Sequence, residues 1–355
     1  MKVGILTFHR AYNYGAVLQC YALQETLRQM GHEARVIDYV QPSIEEVNDS
    51  FKLNSYTWAT HLVKLQWSKA YRQLRFYRFR RRIKRNFCTF REHYLQMTAP
   101  CSGRDDLPQD FDIYVVGSDQ LWSWELLKNQ VDQVFLGNFP RPANSRLVGY
   151  AISATPRSLE QLGHEGLREV KERFDRLSMR EDVAAKTIET IIGEQVPVCC
   201  DPTLLTDASF WEPMTSNRYA QGDYVLLYRL RGDEQLLNSK GQLLAERLGC
   251  RLVNMPNDAR IEDFVSLFRH ARYVITTSFH GTAFSLIFGR PLYAVKLNDR
   301  WDARYENLLH ILGADYLCVD KDFDPVPMEV DYTPIHAAMK DYAQCSRDFL
   351  RDLTQ

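Results

Sequence analysis

Nowhere in the 355 residues does an uncharged apolar run reach the ~18–20 residues of a bilayer-spanning helix, which excludes an integral helical membrane protein. Net charge is missing as well. The 44 Lys and Arg against 45 Asp and Glu leave −1, so the molecule as a whole has no electrostatic reason to coat nucleic acid. The eight cysteines (20, 88, 101, 199, 200, 250, 318 and 345) include no Cys-x-x-Cys pair and no Cys/His cluster at zinc spacing. Reduced thiols in cytoplasm are expected, with neither a disulfide frame nor a metal. Cys199 and Cys200 would point to opposite faces of a strand, which argues for small buried hydrophobes over a redox pair. G-x-G-x-x-G and Walker-type loops are absent, disfavouring dinucleotide and P-loop chemistry, and no internal repeat or low-complexity tract is visible. With 45% hydrophobic and 25% charged residues the chain is not a disordered one.

What is present is an alternation of short apolar runs with longer amphipathic ones, the pattern of parallel sheets with crossover helices, and this predicts an α/β protein. Strands are expected at 2–8, 34–39, 112–117, 146–152, 176–180 and 196–200, then at 223–229, 250–254, 272–277, 291–296 and 315–319. The first run is too short for a secretory signal and reads as a buried strand. Ala16, Leu18, Leu23, Leu27 and Met30 recur at helical spacing before Gly31, predicting a helix over 16–30. A length of 355 residues exceeds the roughly 250–300 at which single cores stop growing, so two domains are expected. The junction falls in the polar stretch 201–222, giving a first unit at 1–205, a second at 206–335 and a terminal helix at 336–355. Each unit has strands enough for a doubly wound sheet, and the two would face a central cleft.

One segment breaks the charge balance. Arg72, Arg75, Arg78, Arg80, Arg81, Arg82, Lys84 and Arg85 fall within 14 residues that contain no acid, interleaved with Phe76, Tyr77 and Phe79. This reads as a basic amphipathic helix, within 60–95, whose aromatics pack inward; the sharper reading is attraction to an anionic membrane surface at ~1 kcal/mol per basic residue. Nucleic acid is not expected, because nothing else in the chain supports it.

In open α/β sheets ligands bind outside the carboxyl ends of strands, and the unusual residues gather there. The loop His9-Arg10-Ala11-Tyr12-Asn13-Tyr14-Gly15 is more polar and aromatic than a connector requires, although Tyr12 and Tyr14 could simply stack on the following helix. Gly117-Ser118-Asp119-Gln120 offers one helix cap and leaves other polar groups without a role. Arg180 has a planar fork suited to carboxylate or phosphate, with a bridge to a nearby acid as the competing account. Asp201, before Pro202, reads as a structural turn. Thr276-Thr277-Ser278-Phe279-His280-Gly281-Thr282 breaks from a β-branched strand into a helix expected at 282–288. Free amides and the helix dipole at such a junction make an anion site, to which Ser278, His280 and Thr282 add donors while Gly281 removes bulk.

With these residues in view, the sequence resembles the polysaccharide pyruvyl transferase family. The likeness runs from Gly4-Ile5-Leu6-Thr7-Phe8 and Asn13-Tyr14-Gly15-Ala16-Val17-Leu18-Gln19 through Gly117-Ser118-Asp119-Gln120-Leu121-Trp122, Ser178-Met179-Arg180-Glu181 and Asp201-Pro202-Thr203-Leu204-Leu205 to Thr277-Ser278-Phe279-His280-Gly281-Thr282. The resemblance implies two Rossmann-like domains in a GT-B-like arrangement, with phosphoenolpyruvate as donor and a saccharide, often on a lipid carrier, as acceptor. It implies a cytoplasmic enzyme of exopolysaccharide or cell-surface glycan synthesis, peripheral at the inner face of the membrane, with no cofactor or metal. The alternatives are a GT-B glycosyltransferase using a nucleotide sugar and a non-catalytic saccharide-binding member.

Ketal formation from this donor needs a carboxylate clamp, a phosphate cradle, and an acid and base near the enol carbon. The expected cradle is Ser278, His280, Gly281 and Thr282, with His280 also the general acid. Arg180 is the expected clamp. His9, Asn13, Ser118 and Asp119 are expected on the acceptor side, His9 or Asp119 as base, with Arg229, Arg231 and Arg304 as reserve anion contacts.

Overall fold

A computed structural model describes residues 1–49, 67–128, 130–219, 222–299 and 301–352. The first sheet comprises β1 (Lys2–Leu6), β2 (Glu33–Val36), β3 (Ile113–Asp119), β4 (Arg146–Ile152) and β5 (Arg176–Met179), all parallel, in the order β2-β1-β3-β4-β5. Its central strands are almost wholly apolar because helices cover both faces. The second sheet comprises β6 (Tyr224–Tyr228), β7 (Arg251–Asn254), β8 (Tyr273–Thr276), β9 (Leu292–Lys296) and β10 (Cys318–Asp320), again parallel. From its β7 edge the order is β7-β6-β8-β9-β10, the same winding as the first. The chain therefore repeats a topology that its sequence does not display. These are two Rossmann-like doubly wound sheets in a GT-B-like arrangement, with switch points between β1 and β3 and between β6 and β8.

Between the strands lie α1 (Tyr14–Gln29), α2 (Pro42–Asp49), α3 (Trp67–Tyr94), α4 (Pro156–Arg173), α5 (Asp182–Ile192) and the short α6 (Ala208–Trp211). The second half adds α7 (Glu234–Leu248), α8 (Ile261–His270), α9 (Phe279–Ile287), α10 (Ala303–Ile311) and α11 (Tyr332–Arg351). α1 starts earlier than its periodicity suggests because Asn13 Oδ1 accepts the Ala16 amide as an N-cap. The expected strand at 196–200 is instead a single bridge between Val198 and Met179, since Pro197 contributes no amide to a ladder.

One apolar cluster runs through both halves, joining Val17 and Leu18 of α1 to Trp211, Phe264 and Phe284. Tyr14 stacks on Phe264 at 4.7 Å and its hydroxyl donates to Ala259 O at 2.9 Å, so the first turn of α1 is fixed against the second sheet's helices. α11 follows the second sheet in the chain but packs back on the first. Ser346 Oγ accepts the Cys200 amide at 2.9 Å, and Arg176 lies 4.5 Å over the Phe349 ring. Cys199 and Cys200 are buried and unbridged.

The basic segment lies on α3; residues 60–66 of its expected span are outside the described residues. Phe87 and Phe90 pack inward, whereas Tyr71 is 69% and Phe76 54% exposed among the arginines. Among the described residues no helix is long and apolar enough to cross a membrane.

Candidate functional site

A cleft of about 620 Å³ opens where the carboxyl rims of the two sheets face each other. The first domain contributes Tyr12 and Asn13 after β1, with Asp119 and Gln120 at the end of β3. The second contributes Arg231 after β6, Ser278 to His280 after β8, and Trp301 and Arg304 after β9. Both switch points thus open onto one space.

Two helices point their N-termini into it. α1 is capped by Asn13 and α9 by Ser278, whose Oγ accepts the Gly281 amide at 3.3 Å. Neither has an acidic residue in its first turn, so the positive ends of both dipoles are uncompensated by their own side chains. The two turns touch: a Cβ placed on Gly15 would lie 1.9 Å from His280 Nδ1, so the imidazole rests flat where only glycine leaves room.

Behind the imidazole sits a buried charge cluster. Asp201 Oδ2 accepts from Arg180 Nη1 at 2.8 Å and lies 3.6 Å from His280 Nε2, while Oδ1 accepts the amide and hydroxyl of Thr203. Burial alone would raise the Asp201 carboxyl; the charge and hydrogen-bonding capacity of His280, then Arg180 and the Thr203 amide, hold it below the usual carboxylate range. The expected structural turn at Asp201 is therefore a turn that also joins Arg180 of the first domain to His280 of the second. Arg180 Nε donates to Glu181 Oε1 at 3.0 Å, and its guanidinium lies 4.6 Å over the Phe279 ring. Three polar atoms here are buried without a hydrogen-bond partner: Arg180 Nη2, Glu181 Oε2 and His280 Nε2. Native structures rarely leave such groups unsatisfied, which sets this cluster apart from most of the buried polar groups.

Arg304 lies on the cleft wall with no carboxylate partner among the described residues; its Nε donates to Trp301 O at 3.3 Å. Burial, then the charge of Arg180, pushes it down to about 10, against the pull of Glu181 and Asp119. Arg231 also lines the cleft and is held by Asp299 and Asp302. Asp119 faces the same space in the left-handed region at φ 83°, which aspartate tolerates better than most residues. The arrangement can bind a compact anion, offer a proton from His280 and receive one at Asp119. Among the described residues no group of three His, Cys, Asp or Glu side chains is placed to hold a metal ion.

The structure thus brings together His280, Ser278, Asn13, Asp119 and Arg304, with Arg180 just behind. Other expectations are corrected. His9 is 1% exposed and turned away from the cleft, with Nδ1 3.0 Å from Thr7 O and Nε2 2.8 Å from Asp38, so it cannot serve as base to an acceptor. Ser118 is fully buried and donates to Ala151 O at 2.8 Å. Arg229 pairs with Glu234 at 2.6 Å in a neighbouring hollow. Gly281 faces its own sheet, where a Cβ would meet Thr276 Oγ1 at 2.2 Å, and the buried Thr282 hydroxyl donates back to Ser278 O at 3.1 Å. Gly281 thus lets α9 approach β8 and β6. Arg180 is 3% exposed with two nitrogens engaged, so it is not the open fork expected; only Nη2 remains available. Sequence reasoning gave no role to Gly15, Glu181 or Trp301. The signal for Glu181 was its place beside Arg180, since a buried guanidinium requires an acid.

Among solved structures, the chain is similar to the UDP-GlcNAc 2-epimerase of Neisseria meningitidis bound to UDP-GlcNAc, at 10% identity with 100% of each chain covered and a TM-score of 0.47. It is also similar to a glycosyltransferase from Streptomyces sp. SF2575, at 12% identity with 100% of each chain covered and a TM-score of 0.42. No curated protein matches the sequence. A family model described as polysaccharide pyruvyl transferase matches residues 13–299, a span that begins at the α1 cap and takes in Asp119, Arg180, Asp201 and His280. The chain belongs to the polysaccharide pyruvyl transferase family.

Proposed function

We propose that this protein transfers the enolpyruvyl unit of phosphoenolpyruvate to two hydroxyls of a saccharide, forming a pyruvate ketal and releasing phosphate. The observation that carries this reading is the convergence of anion-binding groups at the cleft. Two helix N-termini without first-turn acids meet there, beside Arg304, with no carboxylate partner among the described residues, and the buried Nη2 of Arg180, which makes no hydrogen bond. A small dianion or trianion supplies what is missing.

In this reading the phosphate lies against the α9 N-terminus, Ser278 and His280, and the carboxylate meets Arg304 and the open Nη2 of Arg180. His280, held by Asp201, gives a proton to the enol carbon, which becomes the methyl group. Asp119 takes the proton of the first acceptor hydroxyl as its oxygen bonds to the cationic carbon. The second hydroxyl then closes the ring as the carbon–oxygen bond to phosphate breaks, phosphate leaving with the electron pair and the second hydroxyl's proton passing to it or to water. Asn13 lies on the acceptor side. The exposed basic face of α3 rests on anionic lipid, which presents a lipid-linked acceptor near Arg80 on the cleft wall.

The test is incubation with phosphoenolpyruvate and a panel of bacterial oligosaccharides, followed by phosphorus NMR and acceptor mass. Acceptor-dependent phosphate release with a pyruvate ketal on the acceptor is expected. No such release across the panel, together with thermal stabilisation by a nucleotide sugar and none by phosphoenolpyruvate, would replace this reading with a glycosyltransferase; a ligand at ~100 times its Kd stabilises by ~2.7 kcal/mol.

A further inference from the structure

A second hollow, of about 200 Å³, shares a wall with the cleft: Tyr12, Asn13 and Leu230 line both. It lies at the carboxyl rim of β6 and β7, where ligands of doubly wound sheets bind. Asparagine recurs in its lining. Asn238 projects from α7, Asn254 ends β7 and Asn257 follows in the next loop, and among the described residues none of the three side-chain amides makes a hydrogen bond. The charged pair in the hollow is self-contained, Arg229 donating to Glu234 at 2.6 Å. Tyr12 and Met255 supply apolar surface.

We propose that this hollow is a saccharide subsite, taking an uncharged pyranose unit next to the one whose hydroxyls react in the cleft. The inference rests on the acceptor reading above. Amide side chains offer both donors and acceptors without charge, which suits vicinal hydroxyls. A carboxylated or phosphorylated sugar would meet Glu234 with no spare cation, whereas the adjoining cleft carries Arg231, Arg304 and His280. At about 200 Å³ the space is below the roughly 300–1,000 Å³ of pockets for larger ligands, so it holds one ring and not a chain. The shared wall lets the neighbouring unit pass Asn13 into the cleft.

The experiment is saturation-transfer NMR with lactose, cellobiose, chitobiose and the methyl glycosides of galactose, glucose, mannose and N-acetylglucosamine as probes, on wild type and on Asn238→Leu and Asn254→Leu. At least one neutral probe is expected to receive saturation from wild type, and each leucine variant to weaken it more than tenfold while keeping the thermal shift with phosphoenolpyruvate. If a leucine variant loses its cooperative melting transition, Asn257→Ala, at an exposed side chain, takes its place. No saturation of any probe by wild type, or saturation that survives the substitutions, overturns the subsite. A wild type that shifts with phosphoenolpyruvate yet binds no probe sinks the subsite and spares the donor reading; probe binding in the hollow with no such shift does the reverse.

Discussion

Replacing Gly15 by alanine asks whether the first turn of α1 sets the position of His280. An ideal Cβ there would lie 1.9 Å from Nδ1 and 2.3 Å from Cε1 and Cγ, so the ring must retreat by at least about 1.5 Å before ordinary contact near 3.4 Å is restored. Gly15 is not among the positive-φ glycines, so its backbone poses no barrier to alanine. Helix propensity favours the substitution by up to about 1 kcal/mol, and overpacking opposes it by ~1–3 kcal/mol. The net loss is about 0–2 kcal/mol, which leaves a fold of ordinary stability of ~5–15 kcal/mol intact. Catalysis should be far less tolerant, because a misplacement of about 1 Å in a reacting group costs roughly a hundredfold. Calorimetry should therefore find melting within several degrees of wild type, while phosphate release in the ketal assay falls about a hundredfold. Wild-type turnover by Gly15→Ala, with His280→Ala inactive under the same conditions, would refute the argument that α1 positions the imidazole.

Asp201→Asn removes the acid shared by Arg180 and His280 and should cost about 3–5 kcal/mol. Because the folded Asp201 lies below its reference value of 3.8, its contribution is whole above about pH 4 and is lost as pH falls through the folded value. The melting gap between wild type and Asp201→Asn should thus stay level from neutrality to about pH 4 and close below it; a gap that closes between pH 7 and 5 would contradict the assignment. Arg304→Ala should weaken stabilisation by phosphoenolpyruvate with little change in melting, whereas Arg180→Ala should destabilise by about 3–5 kcal/mol through the stranded Asp201 and Glu181. An Arg180→Ala protein that melts like wild type would remove Arg180 from the structural cluster. Triple reversal of Arg72, Arg75 and Arg78 to Glu should abolish co-sedimentation with phosphatidylglycerol vesicles, since each basic residue contributes ~1 kcal/mol at such a surface. Equal sedimentation of wild type with phosphatidylcholine would show that α3 is not an anionic-lipid contact.

The strands were legible because a parallel strand buried on both faces reads as a continuous apolar run, as in 146–152 and 223–229. The stretch 196–200 is also apolar yet makes only one bridge, because Pro197 contributes no amide to a ladder, a local signal that its apolar neighbours mask. Strand ends located the site for a similar topological reason, and Asp119, Ser278, His280 and Arg304 all reach the cleft. What strand ends do not encode is the direction of a side chain within its loop. His9 turns to Asp38, 29 residues on, and Ser118 to the carbonyl of Ala151 on the adjacent strand. The same holds for Gly281, which looks like room for a ligand and is room for Thr276. Arg180 and Asp201 were each visible, but a pairing across 21 residues is a tertiary fact.

The repeated strand order explains why the site lies at the seam and in neither domain alone. In each sheet the switch point leaves a crevice at the carboxyl rim, and when the rims face each other the helix that opens after β1 and the one that opens after β8 meet end to end at Gly15 and His280. Two like dipole ends brought together repel unless something negative lies between them. The chain supplies only part of that charge: Asp201 is buried behind the ring and bound to Arg180, while Asp299 and Asp302 are taken up by Arg231. Asp119 and Glu181 lie nearby as well, but no acid stands in the first turn of α1 or α9, so the helix amides and Arg304 are the groups at the cleft that an anion would meet. In the proposed reading one bound anion would lie against both helix ends, while the apolar cluster through Val17, Leu18, Trp211, Phe264 and Phe284 is what holds the two halves together.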